Sequence, residues 1–359
     1  MRDANANLVS VSSQRSRVFH HPVSPALFLI TLTAVLLAAG LPLRAESPQH
    51  AATLTFSQFK PGQPLHMVAY GDMRFTNPSR TTGTNPRVRK WLAARVAQEH
   101  PSVILLTGDM PYFGSRTADW NVYASETAPW HSIHALVLPT IGNHETYGGP
   151  EKGIANYMHA YPQIRGHRYY SALLGPVEVI SLDGTSMITK NSEQVVWFAD
   201  QLDRVSSQVE FVLILFHYPL MADWQSQVFA RIPDKASVTI RDVLEAHLPV
   251  LRAKVVVFSG HIHNYERFER KGVTYIVSGG GGAEPYPILF RGSEDLYQDK
   301  AFPVYHYLTV DVANHQLHAV MWKVRDPDAP NLSVEAKDQF FIAAQPRPAV
   351  EAAQSPSRH

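Results

Sequence analysis

The chain has no cysteine. This excludes disulfides, cysteine-ligated zinc, iron–sulfur clusters, a cysteine nucleophile and a lipid-modified N-terminal cysteine. It also weighs lightly against a eukaryotic secreted protein, since those commonly carry disulfides. A dominant charge is lacking too. The formal net charge is +1, and outside residues 1–45 there are 28 basic and 30 acidic residues. No surface for nucleic acid is therefore expected, and any recognition of an anion has to be local. No internal repeat is visible. The remaining composition, 45% hydrophobic and 18% charged over 359 residues, is ordinary for a globular protein of one large or two small domains.

There is one long apolar run, Ala26–Leu43, and it carries no charge. Arg15, Arg17, His20 and His21 precede it, and Arg44-Ala45 follows. Residues 1–45 are expected to be a signal peptide cleaved after Ala45, or a retained membrane anchor of the same orientation. Arginines on the N-terminal side hold that end in the cytoplasm, so both readings export the rest of the chain. The expected location is periplasmic or secreted, with membrane association only if the segment is retained. The segment before the run is long for a signal, so the start codon could lie downstream. Residues 46–63 read as a linker, 64–342 as the folded domain, and 343–359, rich in Pro, Ala and Ser, as a disordered tail.

Within the folded part, short apolar runs recur. They are Leu65–Tyr70, Val103–Thr107, Leu136–Ile141, Val177–Leu182, Phe211–Phe216, Val255–Ser259 and Thr274–Ser278. Continuous apolarity over five or six residues predicts strands buried on both faces. Arg87–Glu99, Ser192–Val205 and Val238–His247 have apolar residues at helical spacing. The second opens on Ser192 as a cap and is expected to place Val195, Val196, Phe198 and Leu202 on one side. Strands alternating with helices predict an α/β architecture with a largely parallel sheet core. Tyr305–Asp311 and Gln316–Val324, around Ala313-Asn314-His315, predict a closing antiparallel hairpin.

The chemistry lies just after the strands. Asp72, Asp109, Asn143, His217 and the pair His261 and His263 each follow one of five predicted strands. Carboxyl ends of strands are where α/β sheets place their sites. Glycine directly precedes Asp72, Asp109, Asn143 and His261, which permits close backbone approach. Any one of these is more often a turn or a packed histidine than a ligand. Five together, in a chain with 18 histidines, point to metal.

The ordered set resembles the calcineurin-like metallophosphoesterase superfamily, and more narrowly the purple acid phosphatases. Gly108-Asp109-Met110-Pro111-Tyr112 is similar to their Gly-Asp-x-x-Tyr block. Gly260-His261-Ile262-His263-Asn264-Tyr265-Glu266-Arg267 is similar to their Gly-His-x-His-x-Tyr-Glu-Arg block. The resemblance covers about Leu65 to Val324. It implies a sandwich of two mixed β-sheets flanked by helices, with 64–342 as the catalytic domain.

The resemblance also implies two metal ions. One would be held by Asp72, Asp109, Tyr112 and His263, with ferric iron at the tyrosine. The other, Fe2+, Zn2+ or Mn2+, would be held by Asp109, Asn143, His217 and His261. Such a pair supplies hydroxide near neutral pH and clamps a phosphate. The implied activity is hydrolysis of small phosphate monoesters, acid phosphatase-like. Alternatives are a phosphodiesterase acting on nucleotides or lipid headgroups, or a binding protein that kept the fold. His144 would face substrate as proton donor or phosphoryl partner. Arg74 departs from the superfamily's Asp-x-His block and cannot be a ligand. It is expected either to grip the substrate phosphate or to form a supporting salt bridge. Gly279–Gly282 lacks the Lys-Ser/Thr ending of a nucleotide loop and would form a tight turn beneath the site.

Overall fold

A computed structural model describes residues 53–346. The expected signal or anchor at 1–45 and most of the expected tail lie outside the described residues. Among the described residues, no helix is long and apolar enough to cross a membrane.

The strands are β1 (Thr53–Thr55), β2 (Leu65–Tyr70), β3 (Val103–Leu106), β4 (Leu136–Pro139), β5 (Tyr170–Leu174), β6 (Val177–Leu182) and β7 (Phe211–Phe216), followed by β8 (Lys254–Ser259), β9 (Tyr265–Arg270), β10 (Val273–Ser278), β11 (His306–Ala313), β12 (Gln316–Val324) and β13 (Val334–Ala343). One sheet has seven strands in the order β1-β5-β6-β7-β8-β10-β9; the other has six in the order β13-β12-β11-β2-β3-β4. Both are mixed. Parallel pairing runs through β6, β7, β8 and β10 in the first and β2, β3 and β4 in the second, and the hairpin β11–β12 joins β2 antiparallel.

Strand β7 shows why the runs are apolar throughout. Phe211, Leu213 and Leu215 pack in the core shared with β2, β3 and β11. Val212, Ile214 and Phe216 alternate to the other face, against helices α6 (Glu193–Arg204) and α8 (Lys235–His247), with the short α7 (Trp224–Ala230) between the two in sequence. Helix α6 meets that core with Val195, Phe198 and Leu202, whereas Val196 is 54% exposed. Val196 was expected inward, but one residue turns a helix by about 100°, which carries it off the buried stripe. The Ser192 hydroxyl donates to the Thr189 carbonyl at 2.9 Å and makes no cap contact to the helix.

Further helices stand in segments where no helical spacing was read. Residues 113–130 hold α2 (Thr117–Glu126) and the start of α3 (Ala128–Ser132), and 146–168 hold α5 (Pro150–Ala160). Their aromatics, Trp120, Tyr123, Trp130, Tyr157 and Tyr161, are buried and join the main core. The expected linker contains β1, which pairs parallel with β5 and buries Leu54. Strand β13 reaches Ala343, the first residue of the expected tail.

Candidate metal centre

The expected site residues are delivered by both sheets. Asp72, Asp109 and Asn143 follow β2, β3 and β4 of the six-stranded sheet. His217 follows β7, and His261 and His263 follow β8, of the seven-stranded sheet. Asp72, Asp109 and His217 are fully buried and offer ligand atoms within 4.8 Å of one another. His263 Nε2 stands 3.6 Å from Asp72 Oδ1, and His217 Nε2 3.4 Å from Asp109 Oδ1. Asn143 Oδ1 is 3.1 Å from His217 Nε2 and 3.0 Å from His261 Nδ1.

The backbone is contorted to reach this arrangement. Asp72, Arg74, Asp109 and His261 have φ of 58°, 52°, 58° and 68°, in the left-handed region that non-glycine residues seldom adopt. The glycines before the ligands allow the approach. A Cβ on Gly142 would fall 2.3 Å from Asp109 Oδ1, and one on Gly260 would fall 2.3 Å from Asp72 Oδ2. The Gly279–Gly282 segment is tied to the loop after β2, with Gly281 N–H donating to the Gly71 carbonyl at 2.8 Å.

The donor set fits a cation. His217 donates its Nδ1 proton to the Thr107 carbonyl at 2.8 Å, and His263 its Nδ1 proton to the Glu284 carbonyl at 2.7 Å. Each Nε2 therefore presents a lone pair inward. His217 Nε2 then faces the Asn143 amide oxygen, acceptor against acceptor, a contact a metal ion would turn from repulsive to binding. Burial lowers the pKa of His217 and His263 and takes His261 to about 3, so all three stay neutral as ligands must. Burial, reinforced by the Asp109 charge, pushes the Asp72 carboxyl well up. Burial also acts upward on Asp109, but His217, His144 and Arg74 outweigh it and hold that carboxyl low. Two buried carboxylates competing for charge are relieved by a cation between them.

His144 opens the short helix α4 (Asn143–Thr146) as its second residue. Its N–H donates to Asp109 Oδ1 at 2.8 Å and its Nδ1 proton to the Tyr112 carbonyl at 2.6 Å, leaving Nε2 3.9 Å from Asp109 Oδ2. Burial lowers its pKa to about 4. Tyrosines surround the site histidines: Tyr147 packs on His144 with ring centroids 4.2 Å apart, Tyr286 stacks on His263 at 4.2 Å, and Tyr218 meets His261 at 4.8 Å.

Two expected residues stand differently from the rest. The Tyr112 hydroxyl lies against Gly83, where an added Cβ would meet it at 2.9 Å, and its ring lies under the Arg80 guanidinium at 3.9 Å. Its hydroxyl makes no hydrogen bond to the other site residues among the described residues, although its carbonyl accepts from His144 Nδ1. Arg74 points inward, with Nη2 3.1 Å from His263 Nε2 and 3.3 Å from Asp109 Oδ2.

The structure adds residues that were not singled out. Glu145 accepts the N–H groups of Asp109, Met110 and Gly142 at 3.0, 2.8 and 2.7 Å, clasping the loops after β3 and β4 together. Burial and the Asp109 charge push its carboxyl upward, and the three N–H groups oppose them by favouring the ionised form. Arg89, on α1 (Pro86–Gln98), pairs bidentately with Glu126 and donates to the carbonyls of Arg74 and Thr76, fixing the loop after β2. Asp338 on β13 receives Arg267 at 2.7 and 3.0 Å and the Tyr265 hydroxyl at 2.9 Å, which accounts for two residues of the Tyr-Glu-Arg block as structural support.

With this fold and this centre, the chain belongs to the calcineurin-like phosphoesterase family, whose model matches residues 65–265. Its similarity runs further toward purple acid phosphatases. It is 26% identical over 304 residues to probable purple acid phosphatase 20 of Arabidopsis thaliana, covering 78% of this chain and 66% of that one. It is 25% identical over 248 residues to a phosphoenolpyruvate phosphatase of Allium cepa, covering 63% and 46%. The chain thus spans about half to two thirds of the length of these relatives. A purple acid phosphatase from yellow lupin (Lupinus luteus) seeds shares the fold with a TM-score of 0.61 and 19% identity, over 79% of this chain and 55% of that one.

Proposed function

We propose that the chain is an exported, dinuclear metal-dependent phosphoesterase that hydrolyses small phosphate monoesters in the manner of acid phosphatases. The observation carrying this is the inward set of lone pairs: His217 Nε2 and Asn143 Oδ1 at 3.1 Å, with Asp109 and His261 beside them. Asp109, Asn143, His217 and His261 would hold one ion, Fe2+, Zn2+ or Mn2+. Asp72, Asp109 and His263 would hold the other, with Tyr112 completing a ferric site if its hydroxyl turns from Gly83. When bound, the ions neutralise phosphate charge and acidify water.

The chain's own groups do the rest. His144 presents Nε2 to the site while the Tyr112 carbonyl keeps the proton on Nδ1. A second proton, taken up at Nε2, is placed to pass to the leaving oxygen. Asp109, fixed through the N–H of His144, aligns the two halves of the centre. The names of the relatives support a monoester as substrate, since phosphoenolpyruvate is one. The charge-free run Ala26–Leu43 supports export.

Metal analysis of the purified full chain, run beside hydrolysis of p-nitrophenyl phosphate and bis-p-nitrophenyl phosphate, tests the reading. Two ions per chain, a visible tyrosinate-to-iron band, and monoester turnover abolished by chelation are expected. A metal-replete protein inert on both esters would overturn it, and faster turnover of the bis-ester would move the substrate to diesters.

A further inference from the structure

We propose that Arg74 is a built-in cation of the Asp72–His263 metal position, so that the two positions fill in order and with unequal affinity. The Asn143–His217–His261 position fills first. The Asp72–His263 position fills only when an ion displaces the guanidinium. This rests on the metal-dependent reading above.

The geometry is direct. His263 has spent its Nδ1 proton on the Glu284 carbonyl, so Nε2 is the one lone pair it has for a metal. Arg74 Nη2 takes that lone pair at 3.1 Å and reaches Asp109 Oδ2 at 3.3 Å. These are two of the atoms an ion at this position requires. A guanidinium stays protonated and has no acceptor, so it competes with the ion and cannot coordinate it. At the other position the guanidinium's only hydrogen-bond contact among the described residues is the shared carboxylate of Asp109. There Asn143 Oδ1, His217 Nε2 and His261 Nδ1 face one another with no cationic side chain hydrogen-bonded to them among the described residues.

The arginine is also held in place. Its N–H donates to the Asp109 carbonyl at 3.1 Å, and its own carbonyl receives Arg89 Nη1 at 3.2 Å. Arg89 is in turn locked by the two-pronged pair with Glu126. The side chain therefore leaves a fixed backbone point with φ 52° and is 13% exposed. Its Nε–H is buried without a hydrogen-bond partner, so the guanidinium keeps a free donor. Displaced by an ion, it has a planar fork to offer a phosphate oxygen. The substitution of arginine for the superfamily's usual histidine then has a positive content. It replaces a ligand with a competitor, and it makes occupancy of one position conditional.

The test is a Mn2+ titration of the metal-stripped full chain, following free Mn2+ by electron paramagnetic resonance. Wild type should bind two ions in separate steps, the second at least about 100-fold weaker, because a unit charge within about 4 Å opposes an incoming ion strongly. Arg74→Gly, which removes the charge and accepts the left-handed backbone, should narrow that ratio at least about tenfold. Arg74→Lys should keep the steps apart. Arg74→Asn serves as a second neutral variant tolerant of positive φ should the glycine chain fail to fold. Equal affinities in wild type, or an unchanged ratio in the neutral variants, would overturn the role of Arg74 and leave the phosphoesterase reading standing. Failure of wild type to bind any ion would overturn both.

Discussion

Glu145 offers the sharpest perturbation of the centre that leaves every candidate ligand in place. One carboxylate satisfies three backbone N–H groups: Oε1 takes Met110, and Oε2 takes both Asp109 and Gly142. Glu145→Ala strands all three in a site closed to water. At about 1–3 kcal/mol per stranded donor, the loss is about 3–9 kcal/mol, and relaxation of the loops brings it toward the lower end. Glu145→Gln discriminates better. Its single oxygen can serve the Oε2 position, but its NH2 then faces the Met110 N–H. One acceptor is lost and one donor pair opposed, for about 2–4 kcal/mol. Function should suffer more than stability. The clasp holds the Asp109 backbone at φ 58°, and Asp109 carries the centre. A shift of about 1 Å there costs on the order of 100-fold in rate. Urea denaturation of the metal-loaded full chain, paired with kcat/KM on p-nitrophenyl phosphate, measures both. If Glu145→Gln left stability within about 0.5 kcal/mol and kcat/KM within about twofold of wild type, the clasp would have no such role.

Further expectations follow from the same geometry. His144→Ala should lower kcat about 10²- to 10⁴-fold with metal content unchanged by elemental analysis; loss of metal together with activity would make His144 a support for the ligands instead. Tyr147→Ala should raise KM for aryl phosphates about 2- to 10-fold and leave small alkyl phosphates unmoved, because one aromatic contact contributes about 0.5–1.5 kcal/mol; equal effects on both would deny stacking. His306 is fully buried, and burial lowers its pKa from 6.5 to about 4. Its folded value lies below its unfolded one, so the stability it contributes is present above pH 6.5 and lost as pH falls toward 4. That amounts to roughly 3 kcal/mol, and His306→Gln should have a correspondingly flatter acid limb in urea-unfolding free energy; parallel wild-type and variant curves would refute the assignment.

Much of this was legible before the fold was known. Strands such as β7, apolar on both faces because helices cover one side and the second sheet the other, declare themselves as continuous runs, and the residues that end them mark the site. What stayed hidden had a physical reason in each case. Strand β13 is partly exposed along its length, and β9 reads Tyr-Glu-Arg-Phe-Glu-Arg, so neither carries an apolar run. Helices α2 and α5 were masked by the turn-forming residues around them, and their anchoring aromatics announce burial without announcing a helix. Glu145 did carry a signal: an acid three residues after Gly142 is placed to turn back onto the helix start, as in a capping box. The directions taken by Arg74 and Tyr112 could not be read, since both depend on left-handed backbone at Asp72, Arg74 and Asp109 that only the assembled loops impose.

The division of the candidate ligands between the two sheets has a mechanical consequence. The centre works as a ruler laid across the sandwich. Its two halves are graduations on two sheets, joined by the core and by backbone hydrogen bonds such as Gly281 N–H to the Gly71 carbonyl, and the distances between Asp109 and His217, or Asp72 and His263, depend on how the sheets are set against each other. Ordinary core substitutions that shift the sheets by a fraction of an ångström register first as lost turnover, well before any loss of secondary structure.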